Sequence, residues 1–345
     1  MTVKKRNEEI DFLRGFAIIL MIFLHSAIYF PSNKFAYTLW DYGHFVVPIL
    51  IFTSSYVFFK KTKFWESSQF PSYLKKRILR LLVPYYIFLV IYFILVGIKE
   101  PSKINFQYIF SNITLTEGID INWIVLLFVY LSFLDPFLLF LRKNKFFFGL
   151  TVIFVFVSTL VPLFYSLPIS YKLFMWAPWL SISIGSFYVV NFERNRWFTV
   201  TVSILSFLLF LAARFFQKAY HHSLLFYHNK YPPNIYYLAY GIFWINLLLL
   251  LFRKFLRHSP VKKIFDFFSY YSYSIFFIHY LAIYVVTKFF DYRKLNWCSF
   301  FLLVLFLSAS IQRLINRLSS FKSYLYLIRP SAKVSTTDDR ANLQK

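Results

Sequence analysis

Two ionisable side chains lie on one face of the first long apolar segment of the sequence. Residues 10–30 are almost wholly apolar and long enough to cross a bilayer as a helix, yet they include Arg14 and His25. At about 100° per residue, the two side chains fall within ~20° of each other around the helix, with His25 ~16 Å deeper. Asp11 lies one turn before Arg14, where it can pair with the guanidinium. Because ionisable groups are costly inside a membrane and usually face a partner or a wet cavity, this face predicts a functional site that includes His25.

A second intramembrane histidine, His279, lies about twelve residues into a later apolar segment, at a depth comparable with that of His25. Two imidazoles at one level could share a cavity; equally, either could be a structural group bonded to a neighbouring helix. His44 and Asp41 lie at the outer end of the second apolar segment, and Asp135 precedes a proline inside the fourth, where we expect it to balance a nearby arginine. The candidate substrate-binding residues are therefore His279, His44 and Asp135.

Arg77 and Arg80 lie one turn apart at the start of the third apolar segment, so their guanidinium groups share a helix face. Guanidinium groups can hold phosphates through two parallel hydrogen bonds, which makes this pair a candidate site for a phosphate-bearing ligand. The alternative is that they are ordinary positive charges flanking a membrane helix, the interpretation that we prefer for Lys75 and Lys76.

The composition is that of a protein with several membrane spans. Hydrophobic residues make up 59% of the 345 residues and charged residues only 15%, so a soluble fold would expose too much apolar surface. The net charge of +24 would suggest nucleic acid in a soluble protein, but here the charges fall between apolar runs, so we expect no nucleic-acid partner. The single cysteine, Cys298, excludes an internal disulfide, and no spacing of histidines and carboxylates predicts a metal.

About ten transmembrane helices in one bundle account for the apolar runs, which makes the fold class all-α. The first run is longer than the core of a signal peptide, and we interpret it as a retained span. The chain then divides into an N-terminal segment, 1–9, a membrane domain, 10–315, and a tail, 316–345, whose polar end we expect to be disordered. The predicted spans are residues 10–30, 44–59, 81–98, 122–141, 146–166, 171–191, 197–216, 235–252, 267–287 and 296–315.

The distribution of basic residues predicts the orientation. If the N-terminus is cytoplasmic, ten of the 38 lysines and arginines fall in the outer loops, Arg14 lies within a span and the other 27 lie on the cytoplasmic side. This bias predicts a multi-pass protein of the cell membrane with both termini in the cytoplasm. The outer loops after spans seven and nine still hold three basic residues each, which could bind anionic groups or could simply be solvated.

The chain resembles the membrane-bound acyltransferase-3 family over residues 9–315. The most specific match is Asp-x-Leu-Arg-Gly followed by a histidine, which here runs from Asp11 to Gly15 and on to His25. Ser55 stands where the family usually has glycine, and Ile124 stands where a Trp-Phe-Leu run is common. Softer matches are Val47-Pro48 to Tyr56, Arg77 and Arg80 with Pro84, Asn122-Trp123, Tyr231-Pro232-Pro233, and Tyr273-Ser274 to His279.

The resemblance implies transfer of an acyl group, usually acetyl, from cytoplasmic acyl-CoA to a hydroxyl of a cell-surface or lipid-linked glycan. The family's essential histidine and arginines correspond to His25, Arg14, Arg77 and Arg80. We therefore expect Arg77 and Arg80 to bind acyl-CoA, and Arg14 and Asp11 to shape the donor end of the site. His25 is expected to take the proton from the acceptor hydroxyl or to carry the acyl group itself; the sequence leaves both open, and with them the acceptor and the oligomeric state.

Two other classes of function remain open at the level of the sequence. A secondary transporter or flippase would also have intramembrane ionisable residues and a polar path, although the sequence has no internal repeat and no pair of glycine-interrupted half-helices. A catalytically inactive interaction protein would not need Arg14 and His25 on one helix face. Release of free thiol from acetyl-CoA in the presence of a sugar would separate the enzyme from both alternatives.

Overall fold

The structure is a computed structural model that describes residues 7–62, 67–165, 171–192 and 195–328. Several of the basic residues that support the predicted orientation lie outside these ranges, as does the end of the predicted tail; they are Lys4, Lys5, Arg6, Lys63, Arg194 and residues 329–345.

Within the described ranges the chain is helical and has no strand. A π-helical turn, Phe252–Leu256, continues the eleventh helix. The helices are α1 (Glu8–Ala27), α2 (Lys34–Tyr42), α3 (Val46–Lys61), α4 (Phe70–Lys99), α5 (Phe106–Ile113), α6 (Asn122–Leu141), α7 (Lys145–Phe164), α8 (Tyr171–Phe174), α9 (Trp176–Asn191), α10 (Arg196–Ala219), α11 (Ile235–Leu251), α12 (Lys262–Tyr270), α13 (Ser272–Phe289) and α14 (Trp297–Ile328).

Ten of these segments are long and apolar enough to cross a membrane, which confirms the predicted fold class. Several boundaries differ from the prediction. The second span begins at Lys34 and combines α2 with α3, and α4 begins at Phe70, so that Arg77 and Arg80 are helical residues. The last helix continues to Ile328. Hydropathy marks the part of a helix that suits lipid, whereas the backbone hydrogen bonds continue into the polar residues beyond it.

Asparagine side chains begin seven of the helices. In each case the side-chain oxygen accepts a hydrogen bond from a backbone N–H of the first turn, which satisfies a donor that has no partner within the helix. The capping residues are Asn7, Asn33, Asn105, Asn144, Asn195, Asn234 and Asn296.

The first, second and eighth spans form the centre of the bundle. Of their apolar windows, 67%, 72% and 67% of the residues are buried, against 33% in α4, 28% in α10 and 22% in α7 and α14. The outer helices expose large apolar side chains such as Ile94, Phe154 and Phe306, as expected where the surrounding solvent is lipid. Because α1 lies at the centre, its polar residues face other helices.

The start of α1 and the later part of α14 lie at the same end of the bundle, which we call the N-terminal face. Arg253 donates two hydrogen bonds, of 2.9 and 2.7 Å, to the Glu9 carboxylate, and Lys262 lies 2.9 Å from Glu8. On the same face, the guanidinium of Arg313 in α14 lies over the ring of Phe267 in α12.

A close approach at Gly15 brings α12 against α1. A Cβ atom at Gly15 would lie 2.1 Å from the carbonyl oxygen of Phe265, so only glycine permits this contact. The Ser269 hydroxyl in α12 then donates a 3.0 Å hydrogen bond to the Asp11 carboxylate. The glycine of the opening motif therefore fixes a short helix beside Arg14.

Candidate active site

The two intramembrane histidines are in direct contact, although they are 254 residues apart in the sequence. Nδ1 of His25 in α1 lies 2.8 Å from Nε2 of His279 in α13. The two rings are nearly parallel, with 13° between their planes. His279 is fully buried, whereas His25 is partly exposed to a cavity.

The hydrogen bonds of this pair assign the proton of each neutral ring. Nδ1 of His279 lies 3.1 Å from the carbonyl oxygen of Ile275, and because a carbonyl can only accept, that nitrogen carries the proton. Nε2 of His279 is then the acceptor, so Nδ1 of His25 donates to it. The unprotonated nitrogen of His25 is therefore Nε2, on the side of the ring away from His279. This arrangement provides an oriented basic nitrogen.

The first of two cavities, which we call the histidine cavity, has a volume of about 160 Å³ and lies at the end of the bundle opposite the N-terminal face. His25, His44, Asp120 and Lys230 supply its ionisable groups, and aromatic side chains form much of its wall. This volume corresponds to that of several water molecules, so the cavity can admit a small polar group.

His44 occupies the wall of this cavity, and like His25 it carries its proton on Nδ1. Its Nδ1 lies 3.0 Å from the carbonyl oxygen of Asp41 and donates to it, which leaves Nε2 as an acceptor. The Asp41 carboxylate accepts a 2.8 Å hydrogen bond from the backbone N–H of Phe226. Asp41 therefore connects the second span to the loop after α10, and His44 is the member of this pair that lines the cavity.

The second cavity, the arginine cavity, has a volume of about 300 Å³ and opens near the N-terminal face. Its described lining residues include four cations and no carboxylate. A concave site with charge of one sign attracts a ligand of the opposite sign. The four cationic residues are Arg14, Lys61, Arg77 and Arg80.

Arg77 is held in place and still has hydrogen-bonding capacity. Its Nη2 donates a 2.6 Å hydrogen bond to the Ser54 hydroxyl, whereas its buried Nε has no hydrogen-bond partner among the described residues. Arg80 is more exposed. The Arg14 guanidinium donates a 3.3 Å hydrogen bond to the carbonyl oxygen of Thr53 in α3. Three guanidinium groups from α1 and α4 therefore surround one space.

Ile124 and Phe276 line both cavities and form the partition between them. Arg14 and His25 share a face of α1 but lie on opposite sides of this partition. The cationic cavity and the cavity that contains the imidazole are therefore adjacent.

Three predicted site residues line neither cavity: His279, whose contact with His25 is described above, Asp11 and Asp135. Asp11 faces α12, where its carboxylate accepts from Ser269. Asp135 is buried between α3, α6 and α9, where it accepts hydrogen bonds from Ser55, at 3.0 and 3.2 Å, and from Ser183. Ser55 is the residue that replaces the family's usual glycine, so this departure supplies a hydrogen bond that glycine could not make.

The sequence reasoning missed two ionisable residues of this site, Asp120 and Lys230. Lys230 appears in the sequence as one of several basic loop residues, but its side chain is only 7% exposed and lines the histidine cavity. Burial lowers the pKa of its ammonium to about 8, while the Asp120 carboxylate opposes the shift. The only sequence signal for Lys230 is its position beside Tyr231-Pro232-Pro233.

A family model described as an acyltransferase domain, the acyltransferase-3 model, matches residues 7–313 of the chain. Comparisons with curated proteins and with solved structures gave no match.

Proposed function

The chain belongs to the acyltransferase-3 family, and from this premise we propose that it is a membrane-embedded O-acyltransferase. Its donor is a cytoplasmic acyl-CoA, with acetyl-CoA as the first candidate. Its acceptor is a hydroxyl group of a cell-surface or lipid-linked glycan. The observation that carries the proposal is the pair of cavities on one face of α1, one cationic and one containing a basic imidazole, which share Ile124 and Phe276 as lining residues.

The arginine cavity supports the donor assignment. Coenzyme A carries several phosphate groups, and Arg77 and Arg80 can bind them bidentately while Arg14 lies deeper. The buried Nε of Arg77, which has no partner among the described residues, offers a further donor. The N-terminal face is then the cytoplasmic face of the cell membrane, in agreement with the bias of basic residues toward that side.

The histidine pair supports the proton-transfer role. Nε2 of His25 accepts the proton of the acceptor hydroxyl as its oxygen attacks the thioester carbonyl carbon. The new C–O bond forms, the C–S bond breaks, and the proton taken up by His25 passes to the departing thiolate, which gives free thiol and restores the neutral imidazole. His279 holds the His25 ring through Nδ1 and acts as a positioning residue. Direct transfer is the simplest form of this reaction, and an acyl-histidine intermediate would use the same Nε2 atom as the nucleophile.

The acceptor enters from the opposite side, through the histidine cavity. His44, Asp120 and Lys230 provide the polar contacts, and the aromatic walls suit the apolar face of a sugar ring. Asp11 and Asp135 have supporting roles in this scheme. Asp11 holds α12 beside Arg14, and Asp135 connects three helices at depth.

The function is tested with purified protein supplied with acetyl-CoA and extracted surface glycans. Free thiol should appear only when both substrates are present, and mass spectrometry should detect one additional acetyl group per modified sugar. The same acetyl should be missing from the glycans of cells that lack the gene. Flux of a glycolipid across vesicles without thiol release would instead support the transporter.

A further inference from the structure

Lys230 places a cation in the wall of the histidine cavity without an ion-pair partner among the described residues. Its Nζ lies 4.5 Å from the ring centroid of Tyr231, 5.1 Å from that of Tyr227 and 5.3 Å from that of Trp123. The Asp120 carboxylate acts on it electrostatically, but among the described residues no carboxylate lies within the 4.0 Å of an ion pair. None of the described hydrogen bonds uses this ammonium.

Because the charge of Lys230 is only partly compensated, an anionic ligand that binds beside it gains electrostatic free energy. Removing an ammonium from water is costly, and aromatic faces offset only part of that cost. The hydroxyl of Tyr231, which lines the same cavity, is also buried without a hydrogen-bond partner among the described residues. Two polar groups that point to one small cavity therefore lack an acceptor.

The loop that holds Lys230 is preorganised. The amide of Asn229 accepts hydrogen bonds from Gln217, at 2.6 Å, and from Asn234, at 2.5 Å. The same amide donates to the carbonyl oxygens of Ser223 and Leu225, both at 2.8 Å. All hydrogen-bonding groups of this buried side chain are thus used by the loop, its junction with α11 and the end of α10, so the backbone that carries Lys230 is held in place without a ligand.

We propose that Lys230, with the Tyr231 hydroxyl beside it, binds an anionic group of the acceptor, a carboxylate or a phosphate. The contact holds the acceptor so that its hydroxyl faces His25. This inference rests on the proposed function, because it specifies the acceptor of that reaction. A uronic acid would supply the carboxylate, and a sugar phosphate or a lipid-linked sugar would supply the phosphate.

The test measures binding, which does not depend on turnover. Methyl glucuronide, glucose 6-phosphate and methyl glucoside are titrated into the purified full chain in lipid nanodiscs near pH 7. At least one charged probe should bind about ten- to a hundredfold more tightly than methyl glucoside. The charged probe that is preferred identifies the anion as carboxylate or phosphate.

Three variants assign that preference to the lysine. Lys230→Met keeps most of the aliphatic volume and should reduce binding of the charged probe to the level of methyl glucoside. Lys230→Arg keeps the charge and should retain a preference. Lys218→Met, an exposed position on the same side of the bundle, should behave as the wild type.

Equal binding of the three probes by the wild type, including no detectable binding, would overturn the proposal. So would a preference that persists in Lys230→Met. If Lys230→Met does not fold, Lys230→Glu, which reverses the charge, takes its place in the test. Loss of the wild-type preference in Lys230→Glu would support the proposal, and a preference that persists would overturn it. Lysine-dependent binding without thiol release from acetyl-CoA would leave the anion site valid and contradict the proposed function. Thiol release by a protein that binds the three probes equally would support the proposed function and contradict the anion site.

Discussion

Nδ1 of His25 lies 2.8 Å from Nε2 of His279, and this hydrogen bond joins the first span to the ninth. The carbonyl oxygen of Ile275 fixes the proton on the far nitrogen of His279 and therefore, through the pair, the proton on His25. A backbone carbonyl thus determines which nitrogen of His25 is basic, without any carboxylate in the chain of hydrogen bonds.

Replacing His25 should abolish transfer without unfolding the protein. His25→Ala should lower turnover by ~10²–10⁴-fold, the range of a positioned general base. His25→Gln keeps a hydrogen-bonding side chain but cannot accept a proton near neutral pH, so it should be nearly as inactive. Turnover per folded molecule is measured in detergent, with size-exclusion profiles as the check on folding.

The control for this pair of variants is His258→Gln, an exposed histidine that lines neither cavity. It should retain wild-type turnover. A well-folded His25→Gln with near-normal turnover would contradict the catalytic assignment and favour the transporter.

Replacing His279 should lower kcat while leaving the KM for acyl-CoA unchanged. His279→Phe fills the same space but removes the acceptor of the His25 N–H, so the ring loses its orientation. An unsatisfied buried donor costs ~1–3 kcal/mol, which, if it is lost from the transition state, corresponds to a fall in kcat of about five- to 150-fold. Steady-state kinetics with acetyl-CoA measures both constants.

His222→Phe, at an exposed loop position, is the matched control for His279→Phe and should change neither constant. A purely structural His279 predicts a different result. The amount of folded protein would fall, and turnover per folded molecule would stay the same.

Removing Arg77 or Arg80 should weaken donor binding. Each alanine variant should lose about 1.5–3 kcal/mol of acyl-CoA binding for every charged hydrogen bond to phosphate that is removed. Arg77→Lys should restore only part of this, because an ammonium cannot form the bidentate contact. Equilibrium titration with acetyl-CoA measures the dissociation constant.

Lys75→Ala and Lys76→Ala remove exposed charges from the same helix and serve as controls. They should leave the dissociation constant almost unchanged. If all four alanine variants bind acetyl-CoA equally well, Arg77 and Arg80 are flanking charges without a role in donor binding.

Labelling of the native cysteine tests the orientation of the protein in the membrane. Cys298 is exposed at the start of α14, at the end of the bundle opposite the N-terminal face. If the N-terminal face is cytoplasmic, a membrane-impermeant thiol reagent should label Cys298 in intact cells. A cysteine placed at Lys143, in a Cys298→Ser background, should be labelled only after permeabilisation. The opposite pattern would show that the N-terminal face lies outside the cell, and it would remove the basis for a cytoplasmic donor.

Binding of an anionic probe should weaken as the pH rises through about 8, because burial lowers the pKa of Lys230 to about that value. Above it the lysine is neutral, whereas the carboxylate of methyl glucuronide stays charged. Dissociation constants between about pH 6 and about pH 9.5 measure the effect, and Lys230→Arg should flatten the profile because guanidinium stays protonated. A flat profile in the wild type would contradict the prediction that the charge of Lys230 controls binding of the anionic probe. The other titratable groups at this cavity are Asp120, His25, His44, Tyr227 and Tyr231.

The sequence by itself determined the ten spans and singled out the shared face of Arg14 and His25. Both results depend on local properties. Hydropathy over some twenty residues reports whether a segment suits lipid, and a helix fixes the angle between two of its own side chains. The sequence could not specify which residues these side chains would contact. It left His279 as either a cavity residue or a structural one, and it left Arg14 free to pair with Asp11 or with a distant carboxylate.

Only the tertiary structure decided those contacts, because they depend on how helices rotate and tilt against one another. The approach at Gly15 placed α12 on α1 and brought Ser269 to Asp11. The Asp135 carboxylate accepts hydrogen bonds from the hydroxyl groups of Ser55 and Ser183. Lys230 shows the difference most clearly. In the sequence it is a basic residue of a loop, yet the loop folds around Asn229 and carries the ammonium into a cavity lined by aromatic rings. No local pattern encodes that burial, since it arises from chain segments that meet only in the folded bundle.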